Sequence, residues 1–540
     1  MKSWGLNGAA ETKRPITRLP AAAGLLALLP ALQLLMGCQP PHPAGQLVVA
    51  NKSSLDSVDP VDVYLLAGTQ LLSAVGDPLY AADRQGQLQP RLATALPQFS
   101  ADGLSARIPL RQGVRFHDGT RFDAEAMVFN LNRFRRLGKL SYLLDDRIAS
   151  VRSVGPYTIE LRLTRPYRAL AALLSSITFT PVSPTAYRDY SERSLTGRFV
   201  GTGPYRLVSY SPRKQQLLPF ADYWGTPAKN AGIHLITLSN STALFGSLVS
   251  GEVDVLISSG LESDQQQALD ARVARRELVS GAGPAIEIAL MALNSQRSPF
   301  NRRDVRQAVA LSLDRQLMSE RVSFGLSEPL RSLVPPPLAG SSPPSWPAYD
   351  PKAARALYRQ AGFCNGKRLT LPLTFRSNHA SDRLFALTWQ AQLRRDLGDC
   401  VRLEITGVES TSAYRQLAQG VFPMIVYDWI GDYPDPDTYL APLLGCRQST
   451  GDHCLAGSSV DSGSFWTAPG LQGQLQASES RTGAARQRSL LTVQRMAAKG
   501  ASFVPLWQVN ARAWGQRNLS APQFDGSGRV ILQALELVQP

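Results

Sequence analysis

Apolar and polar positions change period several times along the chain, and each change predicts an element. Leu104, Ala106, Ile108 and Leu110 alternate with polar neighbours, and Tyr157, Ile159, Leu161 and Leu163 alternate with Thr158, Glu160 and Arg162. A period of two puts every apolar side chain on one face, so both stretches predict half-buried antiparallel strands. Between them Phe122 to Arg136 reads as a helix. Leu47 to Ala50 is continuously apolar and opens the fold as a buried strand; a turn through Asp59-Pro60 and a helix with Leu65, Leu66, Leu71 and Leu72 follow. Val305, Val309, Leu313 and Leu317 form one stripe, which predicts a single helix from Phe300 to Met318. After a Pro/Ser-rich loop, Asp350 and Pro351 supply an N-cap and first helical position, Ala353, Ala356, Leu357 and Ala361 a stripe, and Gly362 a stop. Residues 369–375 read as a strand, 383–397 as a helix and 401–405 as a strand. Such alternation predicts an α/β protein with sheets covered by helices.

One stretch breaks the periodic pattern in a way that suggests chemistry. Met424 to Tyr427 is a short buried strand, after which Gly431, Pro434 and Pro436 punctuate a loop. Tyr427, Trp429 and Tyr433 are interleaved there with Asp428, Asp432, Asp435 and Asp437. Aromatic rings offer rigid apolar contact and a carboxylate offers an ion pair, a combination suited to a cationic, partly apolar small ligand. Asp435 and Asp437 flank Pro436 and read as turn caps.

Length and charge narrow the class. A chain of 540 residues predicts several domains, and 44% hydrophobic with 18% charged residues describes an ordinary globular protein. Lys13, Arg14 and Arg18 precede an apolar run from Leu19 to Leu35, and Leu35-Met36-Gly37-Cys38 follows. A basic start, an apolar middle and a small residue before cysteine resemble a bacterial lipoprotein signal, in which Cys38 becomes the lipidated first residue. Removing residues 1–37 takes away four cations and one acid, so the net charge falls from +15 to +12. The arginines are scattered, without a basic block or aromatic platform, so nucleic acid is not the expected partner. Four cysteines remain, Cys364, Cys400, Cys446 and Cys454, and an even number in an oxidising compartment predicts two disulfides. Of three connectivities the sequence-local one, Cys364 with Cys400 and Cys446 with Cys454, is preferred. Cys446, His453 and Cys454 are too few for a structural zinc site, so no metal or cofactor is expected. There is no Gly-x-Ser-x-Gly elbow and no His-Glu-x-x-His, and Gly362-x-x-x-Gly366-Lys367 falls short of a P-loop. An enzyme is therefore not expected.

The order of short motifs carries a resemblance. Asp59-Pro60, Pro90 to Ala93, Gly113 to Thr120, Gly201 to Tyr205, Tyr223-Trp224-Gly225, Ser250 to Asp254, Leu293-Asn294, Val305 to Ala308, Trp429 to Pro436 and Val509 to Arg512 follow one another through nearly the whole mature chain. Together they resemble the extracytoplasmic solute-binding proteins of peptide ABC transporters, family 5, the oligopeptide- and dipeptide-binding proteins. That resemblance implies a type II periplasmic-binding-protein fold, two α/β lobes of mixed sheets with the ligand cleft between them. It places residues 1–37 as the signal and 38–46 as a linker. Lobe I has its core in 47–85, 197–287 and 507–540 and an extra subdomain in 86–196, and lobe II spans 288–506. Hinge strands are implied near 285–293 and 503–511.

The resemblance also implies roles. In peptide-binding members the acid of a Trp-x-x-Asp-Tyr motif takes the peptide's α-ammonium, which here falls on Asp432 within Trp429-Ile-Gly431-Asp432-Tyr433. Trp429, Tyr433 and Tyr427 are the implied surroundings, and Arg376 lies in the region of the carboxylate-binding basic residue. His117 and Thr202 lie in family turn motifs and read as structural. The implied protein is a lipid-anchored monomer on the extracytoplasmic face of a bacterial membrane, delivering peptides to permease subunits. The family also includes binders of nickel chelates, opines, haem and sugars, which stand as the alternative.

Overall fold

The computed structural model describes residues 45–538 except 53–54, 56, 64, 191–196, 258–260, 337 and 339–342. The expected signal and Cys38 lie outside the described residues.

The strand Gln46–Asn51 shows why its apolar run has no polar alternation. It is flanked in parallel by Gly232–Thr237 and Val255–Ile257. Leu47 and Val49 point into one core, and Val48 and Ala50 into a second core with Leu244, Leu248 and Trp514. A strand covered on both faces needs apolar residues at both parities. Among the described residues this strand is central to a seven-stranded sheet, ordered Leu278–Ala282, Arg512–Gln516, Val255–Ile257, Gln46–Asn51, Gly232–Thr237, Lys214–Pro219 and Tyr205–Ser211.

The alternating stretches pair as their period demands. Ala106 lies opposite Leu161 and Ile108 opposite Ile159 in a four-stranded antiparallel sheet. All four are buried in the first core, so this sheet extends lobe I. Asp123 caps the helix Ala124–Leu137 by accepting a 3.0 Å hydrogen bond from the Ala126 amide.

The other lobe is built on a six-stranded sheet ordered Glu328–Pro329, Phe503–Val509, Glu287–Leu293, Met424–Ile430, Leu369–Arg376 and Val401–Val408. The single helix expected from Phe300 to Met318 is two, Arg303–Leu311 and Arg315–Val322. Local side chains make the break. Ser312 Oγ donates back to the Val309 carbonyl, and Asp314 starts the second helix by accepting from the Leu317 amide at 3.1 Å. Asp350 caps Pro351–Gln360 as expected, and Gly362 takes the left-handed conformation after it.

The chain passes between the two sheets at residues 283–286 and 510–511. The expected hinge ranges are thus shifted, because Glu287–Leu293 and Phe503–Val509 lie wholly within the second sheet, paired with each other. The two crossings touch, the Gly283 amide donating to the Ala511 carbonyl at 2.7 Å. A side chain at Gly281 would sit 1.8 Å from the Pro522 carbonyl oxygen, so only glycine fits there.

Cys364 pairs with Cys400 and Cys446 with Cys454, at Cα separations of 4.4 and 5.8 Å. The sequence-local connectivity is the one formed, and the sulfurs of Cys446 and Cys454 are spent on each other rather than on a metal.

Candidate ligand-binding site

The strand Met424–Ile430 runs three residues past the expected end at Tyr427, and the loop begins at Gly431. The chain then doubles back on the helix Asp437–Leu444. The Gly431 amide donates to the Tyr439 hydroxyl at 3.2 Å, and the Asp432 amide to Thr438 Oγ1 at 3.0 Å. A Cβ on Gly431 would lie 2.5 Å from Thr438 Cγ2 and 2.8 Å from the Tyr439 ring, so this close return requires glycine. Trp429 Nε1 donates to the Thr438 carbonyl at 2.9 Å, bracing the same corner.

These bonds hold the backbone of Asp432 and leave its carboxylate unused. Among the described residues that carboxylate has no hydrogen bond and no ion pair, and its residue is half-buried. Desolvation alone pushes its pKa up to about 6. Tyr142, on the lobe I side, lies within its electrostatic reach, since burial and then the Asp432 charge raise the phenol. A carboxylate partly taken out of water without a partner is a candidate site for a cation.

The other expected residues are distributed differently. Tyr427 is a core residue of lobe II, its hydroxyl donating to the Ser462 carbonyl at 2.9 Å. Tyr433 is 4% exposed and packs into the core of lobe I, the one residue from the 287–509 segment to do so among the described residues. Strand parity explains Tyr427, which points away from the face carrying Asp428. The two rings are therefore packing elements, not walls around Asp432.

Arg376 does not stand free in the cleft. It is 2% exposed, and its guanidinium grips Asp382 through two hydrogen bonds of 2.7 and 2.9 Å. It also reaches Asp428 at 2.5 Å and the Tyr414 hydroxyl at 3.0 Å. Burial opposes its charge, but Asp428 and Asp382 outweigh that and hold it protonated. Its positive charge is balanced inside lobe II, which removes the expected reason for it to anchor a ligand carboxylate.

Sequence reasoning missed Glu287 beside this group. Its pKa is raised to about 8, by burial first and by the Asp428 charge second. A lone carboxylate between Ile286 and Ile288 in an apolar run was the available signal. His117 and Thr202 are structural as expected. His117 Nε2 lies 3.0 Å from the Gly203 carbonyl, and Thr202 Oγ1 donates to Asp77 at 3.1 Å.

Two α/β lobes joined by paired crossings, with an unpartnered acid at a strand end facing the other lobe, define a two-lobed solute-binding protein. Residues 87–451 match the bacterial extracellular solute-binding proteins, family 5 Middle, and the chain belongs to that family. It is 28% identical over 437 residues to the glutathione-binding protein GsiB of Escherichia coli O1:K1, spanning 79% of this chain and 82% of that one. Its fold is that of the dipeptide binding protein from Pseudoalteromonas sp. SM9913 in complex with Met-Leu, with a TM-score of 0.77, 21% identity and coverage of 91% of this chain and 100% of that one. NikA from Brucella suis, in complex with Fe(III)-EDTA, superposes with a TM-score of 0.79 at 21% identity over 92% of this chain and 100% of that one.

Proposed function

We propose that this protein captures peptides for an ABC importer by taking their α-ammonium at Asp432. The observation that carries this reading is the half-buried carboxylate of Asp432, held by its backbone and left without a partner among the described residues. Glutathione and Met-Leu, named with two of its relatives, both carry a free α-ammonium. The protein is read as a binder with no chemical step, working as a monomer with permease subunits. Anchoring through a lipidated Cys38 on the extracytoplasmic face rests on the basic, apolar and Gly37-Cys38 pattern alone.

Calorimetry with glutathione, Met-Leu and their N-acetyl forms tests the reading. Removing one side of an enclosed charge pair costs about 2–5 kcal/mol, so acetylation should weaken binding roughly 30-fold or more. In Asp432→Asn acetylation should cost little further, because both changes delete the same pair. Equal affinity of wild type and Asp432→Asn for the free-amine peptides sinks the ammonium reading.

A further inference from the structure

An asparagine followed by glycine is a reactive pair where the fold leaves it free. The glycine nitrogen can then reach the asparagine carboxamide carbon, and no Cβ shields it. Asn365-Gly366 is the one such pair among the described residues. It lies between the helix Pro351–Gln360 and the strand Leu369–Arg376, outside both. The base of its turn is pinned: a disulfide ties Cys364 to Cys400, and the Cys364 amide donates to the Lys367 carbonyl at 2.8 Å. The tip is open. Asn365 and Gly366 are both exposed. Gly366 takes the left-handed conformation at a φ of 80°, and a Cβ built on it would meet nothing within 4 Å.

Both reacting groups are unengaged. Among the described residues the Asn365 carboxamide and the Gly366 amide have no hydrogen bond. Lys367 follows directly, its ammonium 5.4 Å from the Phe363 ring centre, and its charge favours negative charge developing on the turn. The two asparagines that precede serine are occupied instead. Asn294 is 1% exposed, and its side chain accepts from the Gln296 amide at 2.9 Å and donates to the Gly420 carbonyl. Asn240 caps a helix by accepting from the Ala243 amide at 2.8 Å.

We propose that Asn365 is a self-modification site, at which the folded chain deamidates without an enzyme. The Gly366 nitrogen gives up its proton and forms a bond to Asn365 Cγ. The Cγ–Nδ2 bond breaks, the proton ends on the departing nitrogen, and ammonia leaves a five-membered succinimide. Water opens that ring at either carbonyl. One opening gives aspartate; the other gives isoaspartate, in which the main chain runs through Cβ. One water enters, one ammonia leaves, and nothing is oxidised or reduced. The turn gains a negative charge beside Lys367. Isoaspartate also lengthens the main chain by one carbon, in a turn whose base the disulfide holds.

Peptide mass mapping of the full, disulfide-bonded chain during incubation at pH 8 tests the proposal. The Asn365 peptide should convert at a rate close to that of the same peptide free in solution, while the Asn240 and Asn294 peptides keep their carboxamides. Conversion should quicken with rising pH, because the attacking nitrogen must first lose its proton. Asn365→Ser removes the carboxamide, so the early release of ammonia should disappear. Gly366→Ala places a Cβ beside the attacking nitrogen and a side chain at positive φ, so conversion should slow severalfold. A folded chain that keeps Asn365 amidated while the free peptide converts overturns the proposal. So does conversion of Asn240 or Asn294 as fast as Asn365.

Discussion

Arg376 and Asp382, six residues apart across a strand end and a helix start, form a two-bond ion pair of 2.7 and 2.9 Å with both side chains almost wholly buried. Opening such a pair leaves a charge in a place that water does not reach. Asp382→Ala should therefore lower stability by about 3–5 kcal/mol, read as a shift in the urea midpoint without a change in slope. A loss under 1 kcal/mol would show that Asp428 alone suffices for Arg376.

Ligand affinity should fall in acid. The free protein holds Asp432 at a pKa of about 6, and only the ionised form pairs with an ammonium. Between pH 7 and pH 5 its ionised fraction drops about tenfold, and apparent affinity for glutathione should drop with it. Above pH 8 the peptide ammonium itself deprotonates, giving an optimum near neutrality. Titration calorimetry at pH 5, 6, 7 and 8 checks both limbs. A flat profile from pH 5 to 7 would exclude an ionised Asp432 from the contact.

Glu287 should make the protein less stable in base. Its folded pKa of about 8 lies above the ordinary 4.5, so the unfolded chain gives up this proton first. Stability then falls as pH rises from about 5 through 8. Glu287→Gln removes that loss, so its stability advantage should grow from nothing at pH 4 to roughly 1–3 kcal/mol at pH 9, after a discount for the partial exposure of the side chain. Thermal melts across that range give the answer; a constant difference between the two proteins would refute it.

The disulfides should contribute unequally. They close separations of 36 and 8 residues. Chain entropy gives upper bounds of roughly 4 kcal/mol for Cys364–Cys400 and roughly 2.5 kcal/mol for Cys446–Cys454. Paired Cys→Ser variants compared by urea unfolding should rank in that order, and thiol titration of the unfolded, unreduced protein should find none of the four free.

Much of this protein was legible in its sequence because the informative interactions are local. The periods at Ala106–Ile108 and Ile159–Leu161 named two strands, since a pleated backbone sends alternate side chains to opposite faces. The cap at Asp350 and the stop at Gly362 marked a helix, since a cap acts within a few residues. Local competition also explains the one helix read as too long: Ser312 and Asp314 bond to their own backbone and break a stripe that apolar spacing alone would continue. The short stretch around Asp432 was singled out by its mixture of acids and aromatics, and that acid is the one the fold leaves unpartnered.

Which of those neighbours serve the ligand was decided only in three dimensions. Arg376 looked available, but Asp382 and Asp428 come to it from a helix and an adjacent strand and balance its charge. Tyr433 looked like a wall beside Asp432, yet its ring enters the core of the opposite lobe and meets Tyr167, 266 positions away in the chain. Residue type and spacing determine what a side chain is able to do. The tertiary fold determines which groups reach it and whether water is excluded, and those two conditions set whether a charge is already neutralised or is left for a ligand to meet.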